Sequence, residues 1–328
     1  MRIERKKAPA RRILAVLLGL GITLYAAPPA RAQWPDRPIR VIVAFPPGAS
    51  TDVLVRALGQ ALTPALGQPV VVENRPGAGG NIATVAVRRA APDGYTLLAH
   101  SVAYSVNPSL YRNAGYAAED LAPVAMLAHT PNVITVNPAM MPARSLSALL
   151  EAGRTQSFNY ASSGTGTTTH LGMELLLRSL TRVEAQHVPF GPAQAVTAVV
   201  AGQAPVASTS LPPALPMIRD GRIRAIAVTS AARDAALPDV PTVAEQGFPG
   251  FEALTWFALF APHDTPAAIA DRLNVAINAA LATSALRERL DAMGFAPAPM
   301  DRGAFATFLR AEVAKWAEVV RASGSTVD

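Results

Sequence analysis

The chain has 328 residues and no cysteine, which excludes disulfides, thiolate metal sites and cysteine nucleophiles. Its formal charge of +6 is concentrated at one end: residues 1–32 carry seven of the 29 basic and one of the 23 acidic residues, leaving 22 of each in the remainder. The basic isoelectric point therefore argues for neither nucleic-acid nor membrane-surface binding.

Taken in chain order, Arg2, Arg5, Lys6, Lys7, Arg11 and Arg12 precede an apolar run from Ile13 to Ala26, and Ala30-Arg31-Ala32 follows. This is the pattern of a secretory signal peptide over residues 1–32, with cleavage after Ala32. The run is shorter than the roughly 20 residues that span a bilayer. The mature protein is thus expected to begin at Gln33 and to work in the periplasm.

A strand is predicted from Ile39 to Phe45, then a turn of small residues, Pro46 to Asp52, then a helix with Leu54, Leu58, Ala61, Leu62 and Ala65 on one face. Further strands are predicted at 69–73, 95–99, 132–136, 159–161 and 224–228. Helices are predicted at 83–90, after the Ser145 cap, at 169–180 and around 195–201. An apolar strand, 256–260, and two helices close the chain. Ile269, Leu273, Ile277 and Leu281 form the core stripe of the first helix, and Phe305, Phe308, Leu309, Val313, Trp316 and Val320 that of the second. Alternation of strand and helix gives an α/β fold with largely parallel sheets.

Two stretches share one plan, strand, then hydroxyl-rich turn, then helix start. They are Ile39 to Asp52 and Phe158 to Thr168, the latter through Ser162-Ser163-Gly164-Thr165-Gly166-Thr167. Unpaired N–H groups at a helix start, with the positive end of the helix dipole behind them, suit a carboxylate or phosphate. Two such turns far apart in sequence suggest one anion held between two domains.

Catalytic signals are sparse. His100, His129, His170, His187 and His263 form no metal pair at helical spacing, and no Gly-x-Ser-x-Gly elbow occurs. The segment Gly77-Ala78-Gly79-Gly80-Asn81-Ile82 fails the dinucleotide pattern at its third glycine, and neither turn carries a phosphate-loop lysine. No cofactor is expected. A hydrolase or lyase using Asp52 or His170 on a small organic acid stays open as the alternative.

Several motifs together carry a resemblance: Trp34-Pro35-Asp36-Arg37-Pro38, Phe45-Pro46-Pro47-Gly48, Glu73-Asn74-Arg75-Pro76-Gly77, Pro92-Asp93-Gly94-Tyr95, Asn107-Pro108-Ser109-Leu110-Tyr111, the 160–167 turn, His187-Val188-Pro189-Phe190 and Leu237-Pro238-Asp239-Val240-Pro241. The chain resembles the Bug family, the extracytoplasmic solute receptors of tripartite tricarboxylate transporters. That resemblance implies a two-domain periplasmic binding protein fold of type II with the ligand cleft between the domains. The first domain would comprise 33–132 and 252–328, and the second 133–251.

It also implies a non-enzymatic receptor for a small carboxylate-bearing solute, monomeric, serving the permease subunits of such a transporter or, alternatively, a sensor kinase. The residues carried over are Pro47, Gly48, Ala49, Ser50 and Asp52 in the first turn and Ser162, Ser163, Gly164, Thr165 and Thr167 in the second. His100, Ser101, His187 and Thr209 join them. The chain departs from the family pattern at Ala49, at Phe190-Gly191-Pro192 and at Ser208-Thr209, where relatives commonly carry an acidic group that could pair with a ligand ammonium.

Overall fold

Among the described residues, ten strands form one continuous sheet system whose two halves share a single long strand. The computed structural model describes residues 34–323 and 326–327; the signal peptide expected at 1–32 lies outside them. By its internal contacts the chain divides into Met1–Asp36 and Arg37–Asp328, and the second unit holds everything described below.

In the first half, β1 (Ile39–Val43) lies between β2 (Val70–Asn74) and β3 (Thr96–Ser101), all parallel. Strand β9 (Leu254–Pro262) joins β3 antiparallel, and β4 (Leu121–Val136) joins β9. In the second half, β5 (Phe158–Ser162) runs parallel to both β6 (Ala185–Pro189) and β7 (Val206–Ser210), and β7 pairs antiparallel with the far end of β4. Strand β8 (Arg224–Val228) and the short β10 (Ala296–Pro297) also pair with β4.

The sixteen residues of β4 change partners near Pro131, from β9 through Leu254 to β7 and β8 from Asn132 onward. Asn132, fully buried, ties this crossing to the returning chain. Its Nδ2 donates to the Ala253 carbonyl at 3.1 Å, its Oδ1 accepts from Thr255 Oγ1 at 2.9 Å, and its backbone N–H donates to Thr229 Oγ1 at 2.8 Å. A buried amide satisfied on so many sides fixes both passages at one level.

Helices follow the parallel strands and, at Leu146–Thr155, the antiparallel β4. They are α1 (Ser50–Leu66), α2 (Asn81–Arg88), α3 (Ala103–Leu110), α4 (Leu146–Thr155), α5 (Thr168–Glu174), α6 (Pro192–Val200) and α7 (Leu211–Arg219). After β9 come α8 (Ala267–Ala282), α9 (Ser284–Ala292) and α10 (Arg302–Ser323). Helix α5 continues through a π-helical turn, Leu175–Leu180. Each half has its own apolar core: Leu98, Tyr104, Phe260 and Phe305 on one side, Leu149, Tyr160, Val206 and Ile226 on the other.

The predicted elements are present, while β6, β7, β10 and α9 were not among them, and three further differences have a physical origin. Strand β4 begins at Leu121, well before the predicted 132, because Pro123 sits where the register to β9 shifts, at an irregularity that needs no proline N–H. Helix α7 reads poorly as a helix because it holds Pro212, Pro213 and Pro216. The first two fall in the first turn, where N–H groups have no intrahelical partner to lose. Helix α3 begins directly after β3 and was not predicted, its apolar stripe being broken by Asn107 and Pro108.

Glu312 docks α10 on β9. Its Oε2 accepts from the indole N–H of Trp256 at 2.7 Å and of Trp316 at 2.9 Å, and Oε1 from Lys315 at 2.9 Å, on a residue only 8% exposed. Glu312→Ala should lower unfolding stability by roughly 3 kcal/mol, since two indole donors lose a charged acceptor. Lys315→Ala, at a largely exposed ammonium, should change it by less than about 1 kcal/mol. Urea titration of both variants checks the contrast.

Candidate functional site

Five helix N-termini meet at one cavity. Strands β1, β3, β5, β6 and β7 each lead into a helix, and the cap or first residues of α1, α3, α5, α6 and α7 line the same small space. Ala49, Ser50 and Thr51 come from α1, and Ser101 and Val102 from the start of α3. Thr167, Thr168 and Thr169 come from α5, Pro192 from α6 and Ser210 from α7. Ser163, Thr255, Phe45 and Phe257 complete the wall. The carboxyl ends of parallel strands are where open α/β sheets bind ligands, and the helix dipoles there make the space electropositive without a basic side chain. Among the described residues, none of those lining the cavity is charged.

The cavity is small. Its volume is about 30 Å³, room for about one water. Ser50 Oγ and Ser210 Oγ hydrogen-bond directly at 2.6 Å across it, and Thr168 Oγ1 bonds Thr255 Oγ1. Leu110 of α3 packs where a side chain on Gly166 would stand, at 2.0 Å from an ideal Cβ, and Gly166 has φ +78. Only glycine permits both that backbone and that approach.

The second turn is held from behind by its own side chains. Ser162 Oγ contacts His187 Nε2 at 2.7 Å and accepts from the Gly164 N–H at 3.1 Å. His170 Nδ1 accepts from the Gly166 N–H at 3.2 Å, so that nitrogen carries no proton. Thr167 caps α5 and donates to the Gly164 carbonyl at 2.7 Å, while Thr169 Oγ1 accepts from the Ser163 N–H at 3.0 Å. Ser163 Oγ is buried with no hydrogen-bond partner. The His170 and His187 rings stack at 4.0 Å between centroids. Burial, and then the neighbouring His170, push His187 down to about 3; burial lowers His170 as well.

The residues named from the sequence fall into three groups. Ala49, Ser50, Ser101, Ser163 and Thr167 line the cavity. Asp52, His100, Ser162, His187 and Thr209 stand outside its wall, and all but His187 are buried. Pro47 and Gly48 are exposed and Gly164 and Thr165 half-buried on the turns.

Asp52 accepts from the Gly48 N–H at 3.0 Å, from Arg56 at 2.9 Å and from Asn74 at 2.9 Å. Burial alone would raise its carboxyl, but these bonds outweigh it and hold the group below the ordinary range. Thr209 pairs with Val133 in the sheet. Not named as site residues beforehand are Phe45, Thr51, Val102, Thr168, Thr169, Pro192, Ser210, Thr255 and Phe257. Thr168 and Thr169 extend the hydroxyl run already noted, whereas Ser210, Thr255 and Phe257 arrive only through the sheet topology.

Two α/β halves joined by shared strands, with helix N-termini of both around one cavity, define a protein of the periplasmic binding class. The model of the tripartite tricarboxylate transporter family receptor matches residues 54–325. BugT of Bordetella pertussis is 39% identical over 321 residues, covering 96% of this chain and 98% of that protein. Among solved structures, Rpa4515 of R. palustris with adipate is 33% identical, with a TM-score of 0.86 over 89% of this chain and 99% of that one. MatC of Rhodopseudomonas palustris with bound malate is also 33% identical, with a TM-score of 0.81 over 88% and 100%. The chain belongs to the tripartite tricarboxylate transporter receptor family, whose members are solute-binding receptors and not enzymes.

His100 sets an acid limit on stability. It is fully buried between Phe45 and Tyr104, and burial lowers it to about 4. Between the ordinary value near 6.5 and that value, the unfolded chain binds a proton that the folded protein refuses, so stability falls as pH drops through this window. The contribution at pH 4 is roughly 3 kcal/mol. Urea unfolding at neutral pH and near pH 4.5 should show this slope, and His100→Asn should flatten it; an unchanged slope would assign the effect to other groups.

Proposed function

We propose that this chain is an exported receptor that holds one carboxylate-bearing solute where the helix N-termini meet and delivers it to the permease subunits of a tripartite tricarboxylate-type transporter. The observation that carries the reading is the convergence of helix starts and hydroxyl groups on a cavity lined by no charged side chain. Such a site favours an anion through backbone N–H groups and dipoles alone. The relatives solved with adipate and malate support the same ligand class.

Residues 33–132 with 252–328 act as one lobe and 133–251 as the other, hinged at the Asn132 crossing. A cavity of about 30 Å³ cannot admit an organic acid, so uptake requires the lobes to part. The Ser50–Ser210 and Thr168–Thr255 pairs then exchange partners with the solute. A hydrolytic reading finds no support in the geometry: Asp52 is committed to Arg56 and Asn74, and His170 to the Gly166 N–H. Export removes residues 1–32, and N-terminal sequencing of the periplasmic protein should begin at Gln33.

Ser163→Ala tests the site with little structural side effect, because its Oγ has no partner within the chain. For the carboxylate giving the largest thermal shift in a panel, the variant should bind about ten- to a hundredfold more weakly by calorimetry, the loss of a hydrogen bond to a charged group. Its melting temperature without ligand should be unchanged. Equal affinity in wild type and variant would place the ligand elsewhere.

A further inference from the structure

We propose that His170 positions the turn that holds the solute, and that acid weakens solute binding by protonating the ring nitrogen through which His170 does so. The inference rests on the receptor reading above, and it concerns a residue that stands off the cavity wall.

Two imidazoles stand behind the second turn, and they are attached to it differently. The Gly166 N–H donates to His170 Nδ1 at 3.2 Å. The Gly164 N–H donates to Ser162 Oγ at 3.1 Å, and that oxygen in turn lies 2.7 Å from His187 Nε2. A hydroxyl can rotate, and Ser162 Oγ has a second acceptor in the Gly164 carbonyl at 3.3 Å, so a proton on His187 Nε2 only reverses that bond. A backbone N–H is fixed in its peptide plane. A proton on His170 Nδ1 therefore sets two donors face to face, and the turn must give at Gly166. These groups all lie between β5 and β6, in one half of the sheet system, so the arrangement is the same whether the cavity is open or closed. Displacing Gly166 reaches the site on two sides. Ser163 and Thr167 of the same turn line the cavity, and Leu110 of α3, from the other half, packs directly against Gly166.

The groups around His170 give the effect its sign. Glu174 Oε1 is 4.0 Å from His170 Nε2, Arg178 pairs with Glu174 at 3.0 Å, and the Tyr160 hydroxyl donates to Glu174 at 2.6 Å. His187 stacks on the ring from β6. Strands β7 and β9, which also pack on α5, contain no ionisable residue. Burial lowers His170 and outweighs the pull of Glu174, so the ring is neutral near pH 7 and takes up its proton below the ordinary value near 6.5. His187 stays neutral down to about 3. Glu174 lies on the Nε2 side and meets the new charge there, whereas the bond that is lost belongs to the turn. Solute and proton therefore compete, and affinity falls as pH drops through this window.

The test is calorimetry on wild type, His170→Asn and His170→Leu with acetate, benzoate, succinate, malate, adipate and citrate as probes, at about pH 7.5 and about pH 5. Asn places an amide oxygen near the position of Nδ1 and takes no proton, whereas Leu keeps bulk and removes the acceptor. For the probe that wild type binds most tightly at the higher pH, His170→Asn should bind within about threefold of wild type and His170→Leu about tenfold more weakly, the worth of one hydrogen bond. At the lower pH wild type should lose about fivefold more affinity than His170→Asn, because titration of the probe and of other groups is common to both. A parallel loss in wild type and His170→Asn, His170→Asn as weak as His170→Leu, or undiminished binding by His170→Leu would overturn the inference and leave the receptor standing. Should His170→Leu not fold, the pH comparison of wild type with His170→Asn carries the test alone. Failure of wild type to bind any probe in the series would overturn both.

Discussion

The site depends on one constraint: a helix that follows a parallel strand begins at the strand's carboxyl end, and its N–H groups point back across that edge. Five strands in this chain obey it on two sheet halves, and the shared strand β4 sets the halves so that the five edges face one space. The positive potential of that space is a property of the backbone. It needs neither lysine nor arginine, and Arg56 spends its guanidinium on Asp52 and Asn74.

The surrounding polar groups preserve that potential by keeping themselves neutral or paired. Buried His100 and His170 and half-buried His187 all titrate below the ordinary value, so near neutral pH they serve as uncharged hydrogen-bond partners of the turns. Asp52 supplies a negative charge at the start of α1, where the dipole welcomes it, and Arg56 one turn later balances it. Asn132, Thr229 and Thr255 satisfy the backbone where the chain passes between halves, so both passages share one buried hydrogen-bonded cluster.

Much of this was legible in the sequence. Strand, hydroxyl turn and helix start recur at 39–52 and 158–168, and both turns reach the cavity through Ser50, Ser163 and Thr167. What the pattern could not convey was how the donors are spent. A run of six small or hydroxyl residues reads as a surplus of ligands, yet most of its N–H groups are used to shape the turn itself. Asp52 and Ser162 belong to the same motifs by sequence but face away from the cavity, a matter of side-chain direction. Ser210, Thr255 and Phe257 belong to no local motif. They come to the wall because β7 and β9 flank β4, a pairing of strands more than a hundred residues apart that only the assembled sheet displays for β9 and β4. The prolines of α7 and β4 concealed those elements because the cost of a proline depends on where in the element it falls.

The most direct test of the account is a high-resolution crystal structure of the mature protein with a bound carboxylate. The carboxylate oxygens should lie within hydrogen-bonding distance of the backbone nitrogens of Ser50 or Thr51 and of Thr168 or Thr169, with the Ser50–Ser210 hydroxyl pair separated or bridged by the ligand. A carboxylate paired instead with a guanidinium, or bound away from the helix starts, would contradict it.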